Sequence, residues 1–139
     1  MKNIYAIYGR AEIGKTSTIR EIYNLLIEKF GKKIIVETET NIFSHKGDIR
    51  VTVKINGKLI GIESQGDPDS RLKASLDIFV KVNCDIILCA TRTRGTTVDF
   101  VKQLEQEYNI NWIKKPDFAD DYEQKNEGLA KDIFTKMIY

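Results

Sequence analysis

Gly9-Arg10-Ala11-Glu12-Ile13-Gly14-Lys15-Thr16 decides the reading of this chain. Two glycines with four residues between them are followed at once by a lysine and a threonine. The apolar run Ile4-Tyr5-Ala6-Ile7-Tyr8 stands before this stretch and reads as a buried strand; a helical pattern follows it. Glycines let the backbone wrap tightly, so that successive N–H groups point inward at an anion. The N-terminus of the following helix adds its partial positive charge. In a G-x-x-x-x-G-K-[ST] loop the lysine reaches the β- and γ-phosphates of a nucleotide and the hydroxyl meets Mg²⁺, which gives those roles to Lys15 and Thr16. A ligand-free glycine-rich turn is the alternative, and the strand before and helix after weigh against it.

Working outward, Lys15 to Phe30 places Ile19, Ile22, Tyr23, Leu26 and Phe30 on one helical face, and Gly31 fits its C-cap. Ile34 to Val36 reads as a second strand, parallel to the first because a helix joins them. Thr38 to Asp48 is polar and reads as irregular, with Thr38, Thr40, Asn41, Ser44 and the single histidine, His45, in a loop. Ile49 to Ile55 alternates apolar and polar residues, Asn56-Gly57 is a hairpin turn, and Lys58 to Glu63 returns as a strand. Asp69 or Ser70 would cap a helix running to about Val82, with Leu72, Leu76, Phe79 and Val80 as its apolar face. Ile86 to Ala90 is apolar throughout, as in a strand buried on both faces, and a loop covers Thr91 to Thr97. A helix from Val98 to Tyr108, a strand from Ile110 to Ile113, a break at Pro116 and a helix from Tyr122 to Met137 complete the order. Strand–helix alternation with one inserted hairpin predicts an α/β fold: a mainly parallel sheet, one antiparallel hairpin and helices on both faces.

Length and composition bound the possibilities. A chain of 139 residues fits a single domain, 1–139. With 22 Lys+Arg against 20 Asp+Glu the net charge is +2, which does not indicate nucleic acid as a partner. No apolar stretch approaches membrane-spanning length, and the N-terminal residues lack a signal-peptide pattern. Cys84 and Cys89 flank or lie in an apolar strand and read as reduced core thiols, so a cytoplasmic location is expected.

On the loop motif, its flanking strand and helix and the order of elements, the chain resembles the P-loop NTPase superfamily. The resemblance implies a three-layer α/β/α fold. It gives Gly9, Arg10, Ala11, Glu12, Ile13, Gly14, Lys15, Thr16 and Ser17 to the phosphates. In such proteins an acidic residue at the end of a neighbouring apolar strand meets the metal. Here Leu59-Ile60-Gly61-Ile62 leads into Glu63-Ser64-Gln65-Gly66-Asp67. That implies Glu63 or Asp67 as the metal's acid, Glu63 or Gln65 as the residue that orients water, and the Gly66 N–H as a donor to the γ-phosphate. The segment is similar to the acid-x-x-Gly switch of GTPases, but the guanine-reading Asn-Lys-x-Asp motif is absent. ATP with Mg²⁺ is therefore favoured over GTP. Arg92 and Arg94 follow the Ile86–Ala90 strand and would neutralise charge on a transferred phosphoryl group. The alternative for them is a solvated basic loop.

Three functions compete. The first is a small Mg²⁺-dependent ATPase using Lys15, Glu63, Gln65, Arg92 and Arg94, working with a protein partner or as a homo-oligomer. The second is a small-molecule or nucleotide kinase, in which an acceptor replaces water. The third is a GTPase-like binding module, in which nucleotide changes a surface and turnover is negligible.

Overall fold

A computed structural model describes residues 2–10, 13–42, 48–116 and 122–139, and main chain alone for 35–42 and 122–126. Its strands are β1 (Lys2–Tyr8), β2 (Ile35–Ile42), β3 (Asp48–Ile55), β4 (Lys58–Glu63), β5 (Ile86–Thr91) and β6 (Tyr108–Lys114). Its helices are α1 (Lys15–Phe30), α2 (Leu72–Lys81), α3 (Thr96–Lys102) and α4 (Tyr122–Ile138). The six strands form one sheet in the order β2-β3-β4-β5-β1-β6. β1 pairs in parallel with both β5 and β6, and β4 in parallel with β5. β3 is antiparallel to β4 and to β2, so it alone runs against the rest.

Pleat alternation gives the sheet two apolar faces. Tyr5 and Ile7 of β1, with Leu88 and Ala90 of β5, meet Ile19, Ile22 and Leu26 of α1 and Ala130, Ile133 and Met137 of α4. Ile4, Ala6, Ile87 and Cys89 face the other way, onto Leu72, Leu76 and Phe79 of α2 and Val101 of α3. β5 is buried along its whole length, as its unbroken apolar run requires. Phe79 lies flat on β4 because position 61 is glycine: a Cβ there would come within 2.6 Å of the ring. Both thiols, Cys84 and Cys89, are free and buried; burial pushes each up to about 12, with nearby carboxylates adding to it.

Four expectations change. β2 runs in the same sense as β1, but β3, β4 and β5 stand between them. Within the segment expected to be irregular, the residues up to Ile42 form a strand, and residues 43–47 lie outside the described residues. Thr38 to Ile42 pair with Thr52 to Asp48 along the sheet edge, after a register shift between Val36 and Thr38; an edge strand tolerates polar residues because one side of it faces water. The N-cap of α2 is Arg71 rather than Asp69 or Ser70, although the Ser70 hydroxyl accepts a hydrogen bond from the Leu72 N–H at 3.3 Å. α3 ends at Lys102, and β6 begins at Tyr108. Tyr108 is drawn into the sheet because its buried hydroxyl donates to the Cys84 carbonyl at 2.7 Å. Among the described residues no helix is long and apolar enough to cross a membrane.

Candidate functional site

Parallel pairing aligns the carboxyl ends of β1, β4, β5 and β6, and the reversed β3 brings its first residue, Asp48, to the same edge. The loops after β1, β4 and β5 therefore meet over one rim, the usual place for ligands in open α/β sheets. Gly9 anchors the first loop to the rim, donating its N–H to the Thr91 carbonyl at 3.2 Å. Ile13 packs across Gly9 where a Cβ would collide with it. Gly14 turns the chain into α1 at φ 92°, a left-handed conformation that side chains resist. Arg10 on this loop and Ser17 in the first turn of α1 are exposed, while Ala11 and Glu12 lie outside the described residues.

Lys15 is 7% exposed. Its Nζ donates to the Gly9 carbonyl at 2.6 Å and the Thr91 carbonyl at 2.7 Å. Burial lowers its pKa to about 8, against the pull of the Asp67 carboxylate and with the push of the Arg92 guanidinium. The ammonium is thus held beneath the rim with its donors turned onto backbone oxygens.

Thr16 points elsewhere. Its hydroxyl donates to Asp48 Oδ1 at 3.2 Å and lies 3.4 Å from the Ser64 carbonyl. The Ser64 hydroxyl also donates to Asp48 Oδ1, at 2.8 Å, while accepting the Ile49 N–H at 2.8 Å. Two hydroxyls thus orient one carboxylate beside the first turn of α1. Asp48 was not among the expected site residues: it closes a polar stretch that reads as loop, and only the reversal of β3 carries it to this edge.

Glu63 does not occupy the position expected of it. Ile60 and Ile62 face α1, so alternation turns Glu63 toward α2. There it is fully buried, pairing with Arg71 through Nε–Oε1 at 2.6 Å and Nη2–Oε2 at 3.1 Å. The Ser75 hydroxyl donates to Oε1 at 2.5 Å and the Gln65 N–H to Oε2 at 3.1 Å. Its lone pairs hold the β4–α2 loop, and neither a metal nor a water is needed to satisfy it. Gln65 is half-buried, with Oε1 3.4 Å from the Arg71 N–H.

Asp67 likewise has a partner other than metal: its Oδ1 accepts from Arg92 Nε at 3.0 Å. Arg92 is held at its backbone, where its N–H donates to the Thr97 hydroxyl at 2.9 Å. Arg94, two residues further along the loop, is exposed. Thr38, Thr40 and Asn41 are described in main chain alone, and Ser44 and His45 lie outside the described residues. Among the described residues no group of three or more His, Cys, Asp or Glu could hold a metal ion. Mg²⁺ needs no such group, since it keeps several waters and takes one or two carboxylates with substrate phosphates. Thr16 and Asp48 fit that donor set.

Gly66 packs against β5. A Cβ on it would lie 2.5 Å from the Ala90 carbonyl oxygen and 2.6 Å from its carbon, both backbone atoms that cannot step aside. Gly66→Ala should cost about 1–3 kcal/mol, read as a lower urea midpoint at unchanged slope. A midpoint equal to that of the unaltered chain would refute this contact.

A separate cleft of about 400 Å³ opens at the amino edge of the sheet, between Lys2, Lys58, Asp85 and Met137, across the sheet from Lys15. No protein-family model, curated protein or solved structure matches the chain.

Proposed function

We propose that this chain is a P-loop nucleoside-triphosphate-binding protein of three-layer α/β/α form, built as a single domain. It would act as a small Mg²⁺-dependent ATPase. The observation that carries the reading is the buried Lys15 ammonium, seated under a glycine loop at the carboxyl rim beside a Thr16–Asp48 hydrogen bond. Burying an ammonium is costly unless it is paired, its two carbonyl partners carry no charge, and a terminal phosphate matches its charge and place.

In this reading the loop N–H groups and the first turn of α1 cradle the phosphates, and Lys15 moves from its two carbonyls onto the β- and γ-oxygens. Thr16 and Asp48 would hold the Mg²⁺ that accompanies ATP, which would supply neutralisation of phosphate charge. Arg92 lies close enough to Lys15 to influence its charge, and it adds a guanidinium to the terminal phosphate. Gln65 orients the water whose oxygen bonds to the γ-phosphorus as the bond to the β-bridging oxygen breaks. ADP leaves, and the water's proton ends on phosphate.

One observation favours slow turnover. Glu63, which the resemblance would use to orient that water, is instead held by Arg71 and Ser75. A nucleotide-controlled switch therefore fits better than a fast hydrolase.

Trp112, the single tryptophan, lies edge-to-face on Tyr8 at 6.3 Å, one residue before the glycine loop. Its fluorescence offers a readout of nucleotide titration. At ligand roughly 100 times Kd, Mg-ATP should stabilise the fold by about 2.7 kcal/mol, a rise of several degrees in Tm. Absence of any shift with ATP and with GTP, each with Mg²⁺, would remove the reading. Asp48→Asn should weaken Mg-ATP binding about tenfold and leave metal-free ATP within about twofold. An equal loss with and without Mg²⁺ would deny Asp48 its metal role.

A further inference from the structure

The geometry points to Asp67 as an anionic stand-in for the terminal phosphate, paired with Arg92 in the nucleotide-free protein and displaced from it by a triphosphate. This rests on the P-loop reading of Gly9 to Thr16. The Asp67–Arg92 pair joins two loops that rise from adjacent strands: Asp67 follows β4 and Arg92 follows β5. Both charges act on Lys15, which hangs from the carbonyl of Thr91, the residue next to Arg92. Two cations and one carboxylate thus share the part of the rim where the end of a triphosphate would lie. A terminal phosphate brought to Lys15 would be repelled by Asp67 and attracted by Arg92, so the pair must open for both cations to meet it. The pair is solvent-facing, with Arg92 36% and Asp67 63% exposed, so opening it breaks no packing. A diphosphate, which ends one phosphate short, meets less of this competition. The pair therefore sets how strongly the site distinguishes triphosphate from diphosphate. When it opens, the β4–α2 loop loses its ionic link to the loop after β5 while Gly66 stays packed on Ala90, and the Ser70 N–H and hydroxyl keep hold of the Asp67 carbonyl.

The test compares ATP and ADP, each with Mg²⁺, on the full chain by Trp112 fluorescence and calorimetry. Asp67→Asn should bind ATP roughly tenfold more tightly, with the gain shrinking as salt rises, and ADP within about twofold of the unaltered protein. Arg92→Ala should bring ATP affinity down to that for ADP. Thermal midpoints without nucleotide confirm that each variant folds. Unchanged or weaker ATP binding by Asp67→Asn overturns the inference, and weaker binding seen with Mg²⁺ alone would make Asp67 a metal residue instead. Equal gains for ATP and ADP would overturn it as well. These outcomes leave the P-loop reading standing, whereas failure of the unaltered chain to bind any nucleotide removes both.

Discussion

A Lys15→Ala chain is expected to lose ATP affinity by roughly 100-fold or more while remaining folded, because a charge-assisted hydrogen bond contributes about 1.5–3 kcal/mol and the lysine would make more than one to the phosphates. Of the two carbonyls it now engages, that of Thr91 keeps the Gly9 N–H as a partner. The same residue predicts a pH dependence. Burial has lowered its pKa to about 8 in the nucleotide-free protein, so it is charged below that pH and neutral above. Phosphate binds the charged form. Affinity should be level below about pH 8 and fall as pH rises beyond it, up to tenfold per unit, until the higher pKa of the bound form is reached. The stability consequence has the opposite sense. A lysine depressed in the folded state leaves the unfolded chain with more bound proton between about 8 and its ordinary 10.5, so its contribution to stability rises with pH through that window. An ATP affinity that stays level past pH 9 would show that Lys15 does not meet the phosphates, as would full binding by Lys15→Ala.

Glu63→Gln is expected to be the most damaging single change to the fold. It removes the charge that balances the Arg71 guanidinium and turns one of its two acceptor oxygens into a donor, with Nη1 already buried without a hydrogen bond. Breaking one side of a buried pair costs about 3–5 kcal/mol, a large fraction of the stability of an ordinary domain. For a chain of this length that is a fall of about 10 °C or more in Tm. Replacing both partners at once, as Glu63→Leu with Arg71→Met, should recover most of the loss, because matched apolar groups avoid the desolvation of two charges. The double variant also separates two roles. If Glu63 serves only to hold the loop, nucleotide binding returns with the fold. Should the fold return without the ATPase rate, Glu63 would instead belong to the chemistry.

Much of the fold is legible from local patterns. α1 matches its expected bounds, and the hairpin forms at Asn56 and Gly57 with φ of 51° and 82°, the positive values that this pair of residues adopts readily. Apolar periodicity identifies the buried face of α1 and the doubly buried β5. Errors fall where tertiary contact overrides local preference. The polar run through Thr38 to Ile42 becomes a strand because β3 supplies its hydrogen bonds, and α3 stops early because Tyr108 belongs to the sheet.

The candidate site divides in the same way. Gly9, Gly14, Lys15 and Thr16 can be read from sequence because a loop that leaves a strand and enters a helix within a few residues is a local object, with its geometry set by backbone freedom at the glycines. The acidic partner is a long-range matter. From sequence, Glu63 and Asp67 are the candidates and Asp48 is not among them. The assignment depends on which face of β4 Glu63 leaves, which loop lies beside Asp67 and which way the strand that Asp48 begins runs. Pleat alternation sends Glu63 to Arg71, the neighbouring loops give Asp67 to Arg92, and the reversal of β3 brings Asp48 to Thr16. The sequence by itself determined the glycine loop between β1 and α1 and placed Lys15 and Thr16 at its end. Tertiary structure decided which carboxylate stands beside it, because Coulomb attraction acts between charges close in space, and distance along the chain does not set that closeness.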